Sequence, residues 1–345
     1  MVKGRYIPSM SEIARETGVA ISTVSRVLKN DPRISEQTKD KVLESAGRLG
    51  YRPNLLIEGI RGEGTHTVGV SIELSDNFHA RLINGIINSL WEKGYASILL
   101  FPRKGGIGEQ DVFKAFLERR VDGVIMRPVN YSATMDYFKN LAERGLPIVM
   151  ADVDLKSLPI PFSGVDDYAG GRMAAEYLIR LGHKVIAHAP GNASITTGAL
   201  RKSGFSETLS KHGGIKEILC RLESFIPDPQ ALKEMLLSKS RPTAVFAGND
   251  NVACEVYKVA MKLGLRIPQD LSVLGFGDLE LGRNSIPPLS TFNQDPDLTG
   301  RNAVELLFEQ LNGKIKKYNN KKTILVKPEL IIRGSTTSPY GRRKA

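Results

Sequence analysis

The stretch "ISTVSRVLKN", residues 21–30, holds the side chains with the most specific chemistry near the start of the chain. At helical spacing Val24, Val27 and Leu28 share one face, which leaves Ile21, Ser22, Ser25, Arg26 and Lys29 on the other. An arginine forks onto a guanine edge, short hydroxyls let a helix sit close to the bases, and an exposed isoleucine meets a thymine methyl. The plainer reading is the solvated side of a small bundle, but such a side has no use for Ile21. The pattern reads as a helix laid into the major groove of double-stranded DNA.

A second set of polar groups lies at the ends of apolar runs in the later part of the chain. "IVMADV" closes near Asp152, and "TAVFAGND" closes on Asn249 and Asp250. In parallel sheets ligands collect beyond the carboxyl ends of the strands, where an amide beside a carboxylate gives and takes hydrogen bonds with a polyol. Asp250 reads equally as a cap for the helix "NVACEVYKVAMKLG" that follows it. Phe78 and Phe276 offer flat apolar walls for a sugar ring or a nucleobase, and Phe276 reads also as core.

Catalysis and metal binding find no support in the residue pattern. No nucleophile stands with its base. Cys220 and Cys254 are far apart and read as structural, the five histidines are dispersed, and His183 and His188 fall before and within one strand rather than on a helix face. "RKGGIGEQ", residues 103–110, lacks both GxGxxG and the Lys-Ser/Thr ending of a P-loop and reads as a loop. No cofactor, metal or enzymatic activity is expected.

The elements that position these residues are of two kinds. Up to about residue 53 the pattern is helical: Ser9 and Glu12 form a capping box for a helix that ends near Gly18, the helix 21–29 follows a tight turn, and a third runs from Ser35 to Gly50. From about residue 66 short runs such as "HTVGVSIEL", "YASILLF", "VDGVIM", "HKVIAHAPG" and "LSVLGFG" alternate with helices. That alternation specifies parallel sheets covered on both faces, and there are enough runs for two doubly wound lobes with a cleft between them. The expected organisation is an all-α helix-turn-helix headpiece at 1–53, a Gly-rich hinge at 54–65, a two-lobed α/β core at 66–337 and a basic tail at 338–345. Within the core, lobe one takes about 66–165 and 294–326, and lobe two about 166–293 and 327–337.

The net charge of +11 fits a nucleic-acid partner, though it is unevenly spread. Residues 1–65 hold eleven Lys/Arg against eight Asp/Glu, whereas residues 314–345 hold ten against one and read as a solvated basic edge. The sequence shows neither a signal-peptide stretch nor 18 consecutive apolar residues, so a cytoplasmic protein without a membrane partner is expected.

The run "IARETGVAISTVSRVLKNDPRISEQTKDKVLESAGRLGYRPN" resembles the headpiece of LacI-type transcription regulators. The resemblance continues through "GVDDYAGGRMAAEYLIRLGHKVI", "LRKSGF", "AGNDNVA" and "IPQDLSVLGFGD", and covers about residues 8–337. It implies a homodimeric repressor or activator, a repressor first, whose headpieces read a pseudo-palindromic operator while the periplasmic-binding-protein-like core binds a small effector, a sugar or sugar derivative. It puts Ile21, Ser22 and Arg26 at base-reading positions. Ser9, Thr23, Ser25, Lys29, Ser35, Thr38 and Tyr51 match positions that hold or flank phosphates, Asn54 opens the hinge, and Ile60 matches a leucine wedged into the minor groove. Arg201 matches an arginine that forks onto sugar hydroxyls or a carboxylate.

Three departures from the family pattern carry consequences. Ala20 replaces a serine, so the reading helix lacks a cap unless Ser22 supplies one. Ile57, Glu58 and Gly59 surround Ile60 where small or basic residues are usual, which implies a hinge that adds less affinity or reads another central step. Gly277 follows the aromatic Phe276 where an aspartate is frequent, and Asp278 comes one position later. This departure counts against a neutral hexose held in the family's usual way, while an acidic or phosphorylated sugar held by Arg201 and a core without effector control stay open. The alternative is a solute-binding receptor with no DNA role, which would share the two lobes but need an export signal. The tail has no leucine heptads to suggest a tetramer module.

Overall fold

The computed structural model describes residues 8–52, 64–102, 108–128, 135–190, 195–220, 228–313 and 321–339. Asn54, Ile60 and the hinge residues around them lie outside the described residues, as do residues 103–107 of the Gly-rich run. The chain divides into two compact units, Met1–Thr65 and His66–Ala345.

In the first unit three helices form because each is signalled at both ends. Helix α1 (Met10–Thr17) starts where the Glu12 carboxylate accepts from the Ser9 backbone N–H at 2.7 Å, and stops at Gly18, whose φ of 69° is open to glycine. Helix α2 (Ile21–Leu28) follows two residues later, and α3 (Glu36–Leu49) begins at Ser35, whose Oγ accepts from the Thr38 N–H at 3.4 Å. Ile13, Ala14, Val24, Val27, Val42 and Ala46 meet in a small buried cluster, with Leu28 only partly covered. Burying each of the larger ones stabilises by roughly 1.5–3 kcal/mol, enough to set the rotation of α2 about its axis.

The second unit contains two parallel sheets. In lobe one the strands β1 (Thr67–Ser71), β2 (Ala96–Leu99), β3 (Gly123–Met126), β4 (Ile148–Ala151), β5 (Phe162–Val165) and β11 (Thr323–Val326) lie in the order β11-β5-β4-β3-β1-β2. Residues alternate across this sheet. Val68, Val70, Ile125 and Val149 pack under α4 (Asn77–Glu92) and α12 (Pro296–Leu311), while Val124, Met126, Ile148 and Met150 pack under α5 (Glu109–Glu118) and α6 (Met135–Glu143).

Lobe two repeats the plan on a smaller scale. Strands β6 (Val185–Ala189), β7 (Lys216–Leu219), β8 (Ala244–Ala247) and β9 (Ser272–Leu274) run parallel in the order β7-β6-β8-β9. Helices α7 (Asp167–Arg180) and α8 (Thr196–Ser210) cover one face; α9 (Pro229–Leu236) and α10 (Asp250–Lys262) cover the other. A short α11 (Glu280–Arg283) follows β9, and β10 (Thr291–Asn293) pairs antiparallel with β12 (Glu329–Ile331), an antiparallel ribbon added to the expected parallel plan. Among the described residues the chain passes between lobes three times, from β5 to α7, from β10 to α12 and from β11 to β12.

One helix contact positions the cleft. A Cβ on Gly171 would collide with the Arg201 carbonyl oxygen, and one on Gly204 with that of Tyr168. With glycine at both places α7 and α8 lie backbone against backbone, which brings Arg201 of α8 beside Asp167 at the start of α7. Among the described residues no helix is long and apolar enough to cross a membrane.

Candidate functional sites

On α2 the buried pair Val24 and Val27 faces α1 and α3, so the opposite side is presented outward. Ile21 is 51% exposed, Ser22, Arg26 and Lys29 are exposed, and Thr23 and Ser25 are half-buried. Ser22 and Arg26 stand one turn apart on the same side, as a helix needs if both are to reach adjacent base edges. The helix begins at Ala20 with no side-chain cap hydrogen bond, so Ser22 does not make up for the missing serine.

The residues matched to phosphate positions surround the helix starts. The Ser9 hydroxyl lies 3.0 Å from the Glu12 carboxylate, Ser35 Oγ and Thr38 Oγ1 are 2.9 Å apart, and Tyr51 is partly buried against the headpiece cluster. Helix N-termini present unpaired backbone N–H groups with a partial positive charge, which favours an anion there.

The cleft between the lobes is a cavity of about 360 Å³ lined from both sides. Phe78, Asp152, Arg201, Asn249 and Phe276 line it, together with Arg127, His79, Thr197, Asn251 and Gln294. Asp152 and Thr197 also line an adjoining cavity of about 230 Å³.

Each charged group in the cleft has a counter-charge. Arg127 donates through Nε to Asp152 at 2.6 Å, and Asp152 holds a left-handed φ of 67°, an uncommon backbone state for a non-glycine residue. Arg201 donates through Nε to Asp167 at 2.9 Å, and through Nη1 to the Gly248 carbonyl. Its guanidinium lies 4.0 Å above the centre of the Phe276 ring, which is stacked on Phe292. Burial pushes the Asp167 carboxyl up to about 6, against the pull of Arg201 and with a further push from Asp152. Phe276 thus combines its two expected roles: it is fully buried in the lobe-two core, and its face carries Arg201 at the cleft.

Three expectations need correction. Asp250 neither lines the cleft nor caps α10; the cap is Asn249, whose Oδ1 accepts from the Val252 N–H at 2.8 Å. Asp250 is fully buried, accepting from the Thr291 hydroxyl at 2.6 Å and the Leu279 N–H at 2.7 Å, and burial pushes its carboxyl up to about 6. Asp278 is also absent from the cleft lining. Its carboxylate is held by Arg283 and Arg333, each at 2.6 Å; burial pushes its pKa up, but the two arginines more than reverse this. For Asn249, the cap occupies one lone pair of Oδ1 and leaves the amide NH₂ to donate to a ligand.

Arg127, His79, Thr197, Asn251 and Gln294 were not singled out from sequence. Arg127 follows β3 directly and satisfies the same strand-end rule that points to Asp152, so a signal for it existed. The remaining histidines and cysteines have structural surroundings. His183 contacts Thr243 Oγ1 at 2.9 Å and the Thr337 carbonyl at 3.0 Å, and burial pulls its pKa down to about 4. His188 is buried between Phe205 and Phe246, and burial pushes the thiols of Cys220 and Cys254 up to about 11. Among the described residues no three His, Cys, Asp or Glu side chains could share a metal ion.

Comparison with known proteins identifies the family. Residues 9–54 match the family described as "Bacterial regulatory proteins, lacI family", and residues 175–336 match "Periplasmic binding protein-like domain". The chain is 31% identical over 330 residues to the HTH-type transcriptional regulator DegA of Bacillus subtilis (strain 168), covering 94% of this chain and 97% of that one. The structure of the lac repressor dimer bound to operator and the anti-inducer ONPF superposes with a TM-score of 0.82 at 26% identity, covering 96% of this chain and 100% of that one. The transcriptional regulator CelR–cellobiose complex superposes with a TM-score of 0.69 at 26% identity, covering 95% and 99%. With an outward-facing polar side on the second helix of a three-helix headpiece and a charge-paired cleft between two α/β lobes, this chain belongs to the lacI family of bacterial regulatory proteins, and is a DNA-binding transcription regulator rather than an enzyme.

Proposed function

We propose that the protein is a homodimeric repressor of the cytoplasm that reads a pseudo-palindromic operator and responds to a sugar or sugar derivative in its inter-lobe cleft. The observation that carries this reading is α2: Ile21 half exposed beside Ser22 and Arg26, on the side opposite the buried Val24 and Val27. Ile21, Ser22 and Arg26 read bases. Ser9, Thr23, Ser25, Lys29, Ser35, Thr38 and Tyr51 position the headpiece on phosphates, and Asn54 and Ile60 serve the hinge.

Dimerisation is supported by an exposed apolar patch on lobe two, where Ile286 is 93% and Met261 is 73% exposed on one shallow cavity. The solved lac repressor relative is itself a dimer on its operator.

For the effector, Arg127 and Arg201 are each neutralised by an aspartate, which among the described residues of the cleft leaves no uncompensated positive charge for a phosphate or carboxylate. Fixed donors and acceptors with an aromatic face suit an uncharged polyhydroxylated ring. Selection from a random duplex pool, followed by a salt series, tests the regulator reading. A retained two-fold site whose binding weakens steeply with salt is expected; general binding with no enriched site would overturn it.

A further inference from the structure

Beside the cleft lies the adjoining cavity of about 230 Å³, and its walls come from both lobes. Phe162 of β5 and Leu325 of the edge strand β11 belong to lobe one, and Tyr168 of α7 and Leu200 of α8 belong to lobe two. Leu325 is 50% exposed, so part of this apolar wall reaches solvent.

Two ion pairs stand between the cavities with their positive ends towards the cleft. Arg127 and Arg201 line the cleft but not the second cavity, whereas their partners Asp152 and Asp167 line the second cavity, Asp152 touching both. Asp154 and Asp166 line it too. Each of the four carboxylates engages one oxygen. Arg127 donates to Oδ2 of Asp152 at 2.6 Å, Arg201 to Oδ1 of Asp167 at 2.9 Å, Lys321 to Oδ1 of Asp154 at 2.5 Å, and the Ala169 N–H to Oδ1 of Asp166 at 2.9 Å. Among the described residues the second oxygen of each makes no hydrogen bond. The hydroxyl of Thr197, a residue only 8% exposed that lines both cavities, makes none either. Lys156, the one cation on the lining among the described residues, is exposed to solvent.

Carboxylate oxygens with unused lone pairs accept from a cation, and apolar walls with an aromatic face take up the hydrocarbon beside its charge. Among the described residues no three acidic side chains could share a metal ion, which favours an organic cation over an inorganic one. We propose that this second cavity binds a small organic amine, its ammonium on the open carboxylate oxygens and the Thr197 hydroxyl, its apolar body among Phe162, Leu200 and Leu325. The site is a second small-molecule input, independent of which effector the cleft takes. Because both lobes supply its walls, an occupant favours the arrangement of lobes seen here.

The test is calorimetric titration of the full-length protein at pH 7.5, where Asp167 is ionised because burial pushes its carboxyl up only to about 6. The probe is 2-phenylethylamine, with 2-phenylethanol and phenylacetate as its neutral and anionic analogues. The amine is expected to bind roughly tenfold more tightly than the alcohol, and phenylacetate least. Leu325→Arg puts a guanidinium at the half-exposed rim and should weaken the amine roughly tenfold, whereas Gln294→Ala, on the cleft alone, should leave amine binding as it is. Saturation-transfer NMR on the wild type gives a readout that depends on no variant folding: the ring protons of the amine should receive magnetisation, and those of phenylacetate should not. No binding of the amine to the wild type, equal binding of amine and phenylacetate, or a loss caused by Gln294→Ala but not by Leu325→Arg overturns the proposal and leaves the reading of the cleft untouched.

Discussion

Replacing Arg201 by methionine should cost this protein several kcal/mol, and the cost should depend on pH in a defined sense. Arg201 is 7% and Asp167 3% exposed, and their contact is 2.9 Å long, so neither charge is relieved by solvent when the other is removed. Methionine keeps a long stem over Phe276, so the loss is chiefly electrostatic, and removing one partner of a buried pair costs about 3–5 kcal/mol. Asp167 can escape by protonating. Burial already raises its carboxyl from 3.8 to about 6, so the native state takes up this proton before the unfolded chain does. For this group, stability is therefore lower above pH 6 and recovers as pH falls towards 4, by about 3 kcal/mol for a shift of that size. Without Arg201 the carboxyl rises further and the recovery begins at higher pH. Urea unfolding of wild type, Arg201→Met and the double variant Arg201→Met/Asp167→Asn, at pH 7.5 and 5.5, measures both effects. The single variant should lose most at pH 7.5, and the double variant should regain part of the loss. A single variant within about 1 kcal/mol of wild type, or a loss equal at both pH values, would refute the electrostatic account of this pair.

Three other outcomes follow from the two sites and the apolar patch. Ala20→Ser should supply the absent cap of α2 and raise headpiece stability by about 1 kcal/mol, seen as slower amide exchange in α2. Arg26→Ala should lose about 1–3 kcal/mol of discrimination at one base pair of the selected operator, whereas Lys29→Ala should weaken all duplexes alike and reduce the salt slope by about one. Ile286→Asp should shift the protein towards monomers in sedimentation, because a charge at a 93% exposed position harms association and leaves the fold intact.

Much of the architecture was legible because it is encoded locally. The caps at Ser9 and Ser35 and the glycines Gly18 and Gly50 bound α1 and α3 at the expected places, and the continuous apolar runs became strands, mostly buried except for β2 at the sheet edge. Strands without such runs were missed. β7 and β11 carry several exposed residues, and β5, "FSGV", looks like a loop. Ser163 in β5 is buried because its hydroxyl donates to the Thr299 carbonyl, 136 positions away in the chain, a partner no window of sequence contains.

For the sites, local sequence determined which residues stand at strand ends and which face of α2 is turned outward, since periods of two and 3.6 residues need only near neighbours. Tertiary structure decided where the polar ends of those side chains point. Asp250 opens a helix at a strand end, as a cleft residue would, yet Leu279 and Thr291 draw its carboxylate inward. Asp278 is taken by Arg283 and Arg333, while Arg127 and His79 enter the cleft instead. A buried carboxylate goes to the donors that compensate its lost hydration, and those donors are brought to it only by the folding of distant segments.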